Sequence, residues 1–504
     1  MGKLLVLSLA FSAGLGTCLH GYNSGMISHI VANPHFNSYF NTEDKASTIG
    51  AVVSVFSGGA VFGSLASGLL LDNYGRRFTI QTGAVISILG VILQASAVRL
   101  SMMLVGRIVS GFAIGMMSVG VPVYISECAF ETSRGFLLGF VQLMILIGFV
   151  ISAWVGYAAH NVPNAELNAF TWRFPIAIAA IPAVFIAFAL QWLPESPRYL
   201  VRQGLTDQAY KTMIKLYHDG TNREIIQRSM QEITVQWKKE SQVQPNSSDW
   251  AVMYTVPQWR SRMLNAAMPS AFTQFTGINI ITYYQGTIYT GLGRSDRLSL
   301  MYSAIYHCVA PLATIIFMLF IVDSIGRRKP IIVGTPILAF LFVIFAALTS
   351  QMQPLGPDGP INVPTSTAAI AIMFLFNIVF SLSWGPMGWT YLPEVIPLRI
   401  RGKGSAVAAA VGNWTMNVIV SQISPAAMDS IGWKYYIVYA VFMGVVTLPC
   451  VWLWVKEPNG LSLEKVDTLW ADTPLDITEE EDGGGSLEMK GSYTRTGSSH
   501  GGPY

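Results

Sequence analysis

Charge is scarce in this chain. Only 12% of its 504 residues are Asp, Glu, Lys or Arg, against roughly 25% in an average soluble domain, so a water-solvated surface covering the whole molecule is excluded. The four cysteines, Cys18, Cys128, Cys308 and Cys450, stand far apart and without CxxC spacing. They are read as buried thiols, neither a disulfide framework nor a metal site. No GxxxxGK loop is present to cradle a phosphate, no Ser/His/Asp set is gathered, and no spacing suits a metal. An enzyme, a metal and a resident cofactor are therefore not expected. A net charge of +3, with no basic cluster interleaved with exposed aromatics, leaves no footprint for nucleic acid.

What the chain has is apolar length. Hydrophobic residues make up 52% of it, gathered into runs that reach the ~20 residues of a helical bilayer crossing. Twelve helical spans are predicted, over 4–28, 47–71, 79–97, 101–127, 135–158, 173–193, 261–290, 299–322, 330–350, 366–392, 404–428 and 435–455. The first run passes Gly16 and reaches Gly25 without a small-residue cleavage signal, so it is read as a span and not as a signal peptide. This divides the chain into a six-helix bundle (1–193), a polar linker with short helices (194–260), a second six-helix bundle (261–455) and a tail (456–504). The tail carries Glu479 to Asp482 and then Gly/Ser-rich sequence, a composition expected to lack fixed structure.

Loop charge sets the orientation, because lysine and arginine are retained on the cytoplasmic side. One set of short loops holds Arg76, Arg77, Arg134, Arg327, Arg328, Lys329, Arg399, Arg401 and Lys403. The opposite set holds Lys45, Arg99, Arg173, Arg294, Arg297 and Lys434. The linker, with Arg198, Lys211, Lys215, Arg228, Lys238 and Lys239, falls on the richer side, which places both termini in the cytoplasm.

The two bundles echo each other. Asp72 to Arg77 (DNYGRR) returns as Asp323 to Arg328 (DSIGRR). Glu127 with Arg134-Gly135 returns as Glu394 with Arg401-Gly402, and Glu195-Ser196-Pro197 is answered by Glu457-Pro458. Three echoes in one order signify a duplicated six-span half, the parallel-repeat plan of a large transporter fold. Acids and arginines at the inner ends of spans can pair across the bundles only while that end is shut. Arg77, Glu127, Arg134, Glu195, Arg328, Glu394, Arg401 and Glu457 are therefore expected to form a cytoplasmic gate.

The spans also supply amides and aromatics: Gln142, Gln274, Asn279, Tyr283, Trp389, Asn413, Trp414 and Asn417. Amides donate and accept at once, and aromatic faces cover C–H surfaces, which suits a neutral polyhydroxylated ligand without charge or metal.

With these motifs placed, the chain resembles the sugar porter family of the major facilitator superfamily over all twelve spans. The resemblance is carried by DNYGRR at 72–77, GRIVSG at 106–111, PVYISE at 122–127, PESPR at 194–198, QFTGIN at 274–279 with Tyr283-Tyr284, DSIGRR at 323–328, GPMGW at 385–389 and PEVIPLRIRG at 393–402. It implies an all-α membrane protein with the major facilitator fold. It also implies alternating-access transport of a sugar or polyol across the cell membrane, with membrane lipid as the surrounding partner and a monomer as one possible state. The amides and aromatics above match the family's sugar-contacting positions, with Gly385 letting the backbone approach. A non-transporting sugar sensor is the alternative from another class.

Three positions depart from the family pattern. Thr273 stands where a second glutamine is usual, Pro311 where span 8 usually offers an asparagine, and Ser381 where animal glucose carriers have an acid. Glucose is thus the default substrate, with a pentose, polyol, disaccharide or cyclic polyhydroxy acid as alternatives. Proton-coupled members carry an aspartate in a GYD motif facing an arginine of span 4. Here the motif reads Gly21-Tyr22-Asn23, with Arg107 retained. Asparagine takes up no proton, so facilitated diffusion is expected over proton symport, His20 and His307 being the titratable groups that oppose this reading.

Overall fold

The computed structural model describes residues 2–470 except 43–45, 163–167, 218–222, 323, 353–361, 462 and 464. The acidic part of the tail, expected to lack fixed structure, lies outside the described residues, as does Asp323.

Among the described residues, eleven of the twelve crossings are long and apolar enough to span a membrane. Spans 1 to 5 are single helices: Gly2–Val31, Ala46–Tyr74, Arg76–Ala95, Leu100–Cys128 and Glu131–His160. Span 6 joins Phe170–Ile178 to Ala180–Ala189. Span 7, predicted as one helix, is three: Pro257–Phe275, Ile278–Tyr283 and Gln285–Gly291. The first break is at Gly277, held at φ +82°, a left-handed conformation that costs a glycine little. The second is at Tyr284, which leaves helical geometry at φ −113°, ψ 20°.

Span 8 is Asp296–Ile316, continued by a π-helical turn at Phe317–Ile321. Span 9 is Arg328–Ser350. Span 10 breaks between Val363–Ser381 and Trp384–Val395. Span 11 runs through a wider π turn, Ala409–Thr415, between Arg401–Ala408 and Met416–Ile431. Span 12 is Lys434–Phe442, Met443–Thr447 and Leu448–Trp454. Irregular backbone at membrane depth is tolerated where it lines a cavity or is packed in protein. Here the breaks and the turn in span 11 all lie on cavity-forming elements.

Close helix approach holds the first half together. A Cβ added to Gly21 would stand 1.8 Å from the carbonyl oxygen of Ile145, so only glycine lets span 1 lie this near span 5. Two large apolar cores result. One is drawn mostly from spans 1–6 and the other from spans 7–12.

A third, smaller core lies in the linker, whose helices are Pro197–Arg202, Thr206–Tyr217, Arg223–Ser241 and Asp249–Thr255. Leu200, Met213, Ile226 and Ile233 pack there around Leu398, from the loop between spans 10 and 11. The tail is anchored through Trp470: Val466–Trp470 forms a short 3₁₀ helix, Asp467 bonds both Arg262 and Gln236, and Trp470 is buried.

Candidate functional site

Between the halves lies a cavity of about 100 Å³. On a scale where one water needs roughly 10–15 Å³, this holds several waters or a small polyol. Of the expected positions, Gln142, Gln274, Asn279, Tyr283, Gly385, Trp389, Asn413 and Asn417 all line it. Trp414 does not. It backs the wall instead, fully buried, donating its indole N–H to Ser118 Oγ at 3.2 Å and lying 5.0 Å from the His20 ring. Asn413 and Asn417, four apart, share a helical face, and the next residue along is turned about 100° away from it.

Gln274 is the centre of an amide cluster. Its Nε2 donates to Asn413 Oδ1, and its Oε1 accepts from Asn279 Nδ2 and, at 3.2 Å, from Asn417 Nδ2. Asn417 Nδ2 also donates to the Tyr283 hydroxyl at 3.0 Å, and Ser57 of the first half donates to Asn417 Oδ1 at 2.7 Å. Gly385 brings span 10 close to the opposite wall: a Cβ there would lie 3.4 Å from Gln142 Nε2. Among the described residues, no Asp, Glu, Lys or Arg lines this cavity.

The three departures are also placed. Thr273 lines the cavity and donates its hydroxyl to Pro269 O at 2.8 Å. Pro311 and Ser381 are not in the lining, whereas His307, Ala310 and Asn377 are.

Of the candidate coupling residues, His20 lines the cavity and meets Trp389 edge-on at 5.8 Å. Asn23 donates to Leu19 O in its own helix at 2.9 Å. Arg107 donates to Val52 O at 3.1 Å and lies 4.7 Å over the Phe56 ring. Neither Asn23 nor Arg107 reaches the lining.

The charges at the linker end of the spans form two matching clamps, one in each half. In the first, Arg76 pairs with Glu127 at 2.7 Å, both fully buried, and Glu195 accepts from the backbone N–H groups of Arg76 and Arg77 at 3.2 Å each. In the second, Arg327 pairs with Glu394 at 3.1 Å, and Glu457 accepts from the backbone of Arg327 and Arg328 at 2.8 and 2.7 Å. Gly75 and Gly326, at φ +97° and +92°, begin these turns, and a Cβ on either would come within 2.6 Å of the carboxylate of Glu195 or Glu457.

The expectation is corrected in two respects. Of the two adjacent arginines in each turn, the one that pairs with the carboxylate of its own half is Arg76 or Arg327. Arg77 and Arg328 turn to carbonyls instead, Arg77 to Leu190 O and Gln191 O, and Arg328 to Trp452 O. Most of the pairing also lies within a half. Across the halves run Arg401 to Glu127 at 3.8 Å, Lys403 to Asp72 at 3.8 Å, and Arg134 Nη1 to Leu461 O at 3.3 Å.

The linker adds a charged hub that spacing did not reveal. Asp249 holds Lys403 at 2.8 Å, Arg399 at 3.0 Å and Arg202 at 3.1 Å, and Arg202 in turn reaches Asp72 at 2.5 Å. Burial pushes the Asp249 carboxyl up, but hydrogen bonds and charge from Lys403, Arg399 and Arg202 outweigh it and hold the group below the ordinary carboxylate range. Burial dominates at Glu195 and raises it, against the Ser196, Arg76 and Arg77 backbone N–H groups and the Arg76 charge. The hub's one sequence signal was composition: a linker rich in both signs of charge.

Twelve crossings in two repeated halves, with a polar cavity between them and charge at one end, define a major facilitator. The family model described as Sugar (and other) transporter matches residues 9–470, and the chain belongs to that family. It is 33% identical to the MFS-type transporter criB of Aspergillus cristatus, over 94% of this chain and 95% of that one. It is 30% identical to the glucose transporter GlcP of Staphylococcus epidermidis, over 90% and 94%. Among solved structures, the proton:xylose symporter XylE bound to 6-bromo-6-deoxy-D-glucose superposes with a TM-score of 0.80 at 26% identity, covering 93% of this chain and 100% of that one. The inward-open XylE from E. coli superposes with 0.69 at 26% identity, covering 92% and 100%.

Proposed function

We propose that this protein carries a neutral polyhydroxylated substrate, a hexose or a related pentose or polyol, across the cell membrane by alternating access and without proton coupling. The observation that carries this reading is the lining of the cavity: amides, hydroxyls and aromatic rings, with no Asp, Glu, Lys or Arg among the described residues that form it. An ionised substrate would enter without a counter-charge, which burial makes costly. A polyol finds both donors and acceptors there. Membership of the sugar-transporter family and the likeness to GlcP support the same substrate class.

The clamps and the linker hub lie at the cytoplasmic end in this reading, with both termini on that side. While Arg401, Lys403 and Arg134 reach across the halves, that end is shut and the cavity serves the outside. Opening inward separates these contacts and leaves the pairs inside each half intact. The higher superposition score with the sugar-analogue-bound XylE than with the inward-open one agrees with a shut inner end.

The test is uptake of a panel of labelled hexoses, pentoses, polyols and disaccharides in cells lacking their own carriers, with and without a protonophore. At least one neutral member is expected to equilibrate, with no accumulation and no protonophore effect. Accumulation that collapses with the protonophore, and is lost in His20→Phe, would establish symport through the one titratable cavity group on span 1. Gln142→Ala is expected to weaken apparent affinity by ~10-fold, the loss of one hydrogen-bonding side chain. Unchanged affinity in that variant would assign Gln142 to helix packing.

A further inference from the structure

We infer that His307 and Asn377 form a second hydrogen-bonding subsite at the outward end of the cavity, which reads one hydroxyl of the neutral substrate and so sets specificity. The inference rests on the polyol reading above and goes beyond it by naming residues that none of the expected contacts included.

Both side chains line the cavity from the second half, and both are buried, at 3% exposure each. The His307 ring lies flat against Phe149 of span 5, with centroids 5.1 Å apart and planes at 11°. The stack leaves the ring nitrogens to be satisfied at the edge. Nε2 has no partner among the described residues, and a buried polar atom left so costs ~1–3 kcal/mol unless something pairs with it. Asn377 spends its Nδ2 on Tyr306 O at 2.9 Å, which ties span 10 to span 8 beside His307 and leaves its carbonyl oxygen as an acceptor. A ring nitrogen and an amide oxygen on neighbouring helices can together meet a hydroxyl, which donates and accepts at once.

The position of the pair is informative. His307 precedes Pro311 by four residues and Asn377 precedes Ser381 by four, so each lies on the same helical face one turn, or about 6 Å, away. In the proposed orientation spans 8 and 10 both run inward, so the shift is outward in both. Pro311 and Ser381 stay out of the lining while His307 and Asn377 enter it. The polar surface of this half is displaced by one turn on two helices together, as a subsite requires and as a single stray side chain would not produce.

The experiment uses the full-length protein in reconstituted vesicles, the panel member carried with the lowest half-saturation, and its complete set of monodeoxy derivatives. In the wild type, removing one particular hydroxyl is expected to weaken apparent affinity by ~10-fold, one hydrogen bond's worth. His307→Phe, which keeps the stack on Phe149, and Asn377→Leu are each expected to weaken the parent substrate by a similar factor and to lose discrimination at that hydroxyl alone. His307→Gln is expected to keep it in part. The same discrimination at every hydroxyl in all variants would overturn the subsite, as would loss of folded protein in both His307→Phe and Asn377→Leu, which would make the pair helix packing. Carriage of no panel member at all would instead overturn the polyol reading itself.

Discussion

Replacing Gln274 by alanine is expected to weaken apparent substrate affinity by about 100-fold, the largest effect of any cavity residue. Gln274 would lose its own contact to the substrate, and it would also release the groups it orients. Asn413, Asn279 and Asn417 all bond its side-chain amide, so three further amides would lose their fixed directions. Two hydrogen bonds' worth of loss, ~2.7 kcal/mol together, corresponds to that factor. Gln142, on the opposite half and outside this cluster, should show only the smaller effect given above. The measurement is the half-saturation concentration for uptake in variants matched for surface expression. Equal effects at Gln142 and Gln274 would mean that the cluster does not act as a unit.

The second large effect concerns the buried clamp. Arg76→Ala leaves Glu127, 1% exposed, without the arginine that bonds it at 2.7 and 2.8 Å. Removing one partner of a buried pair costs about 3–5 kcal/mol, so folded yield and melting temperature in detergent should fall sharply. Arg401→Gln removes a contact of 3.8 Å across the halves and spares the clamp. Because Glu127 keeps Arg76, melting is expected to fall less than in Arg76→Ala, while exchange slows and Cys128, buried beside Glu127, becomes more reactive toward a permeant maleimide, read by mass spectrometry. If Arg401→Gln changes neither exchange nor labelling, the cross-half contacts are not the gate.

The repeated motifs made the two halves legible in the sequence, and the resemblance to the family's motifs did the same for the cavity-facing amides, because both depend on order along the chain. What they could not convey was rotation. Arg76 and Arg77 are adjacent, and which guanidinium turns toward Glu127 is decided by the left-handed turn at Gly75 and the helix that starts at Arg76. The choice between Arg327 and Arg328 is settled in the same way at Gly326. Trp414 was placed in the lining on its motif and proves to stand behind it, one residue round from Asn413. The breaks in span 7 were hidden because residues 276–285 hold neither a proline nor a charge to mark them. The Asp249 hub was hidden because its partners, Arg202, Arg399 and Lys403, come from two distant stretches of chain.

The duplicated clamps bear on how fast such a molecule can turn over. Each welds the inner ends of its own helices, Arg76 to Glu127 and Arg327 to Glu394, through buried pairs and backbone bonds. Each half then moves as a stiff body, and deformation concentrates in the few side chains that meet at the seam. The direct seam contacts at this end are long, at 3.3 to 3.8 Å, and water can replace them as they part, while Asp249 and Arg202 join Lys403 of the second half to Asp72 of the first at 2.5 to 3.1 Å. Substitutions at the seam should therefore alter the rate of reorientation without softening either half, so speed can drift between relatives while the scaffold stays fixed.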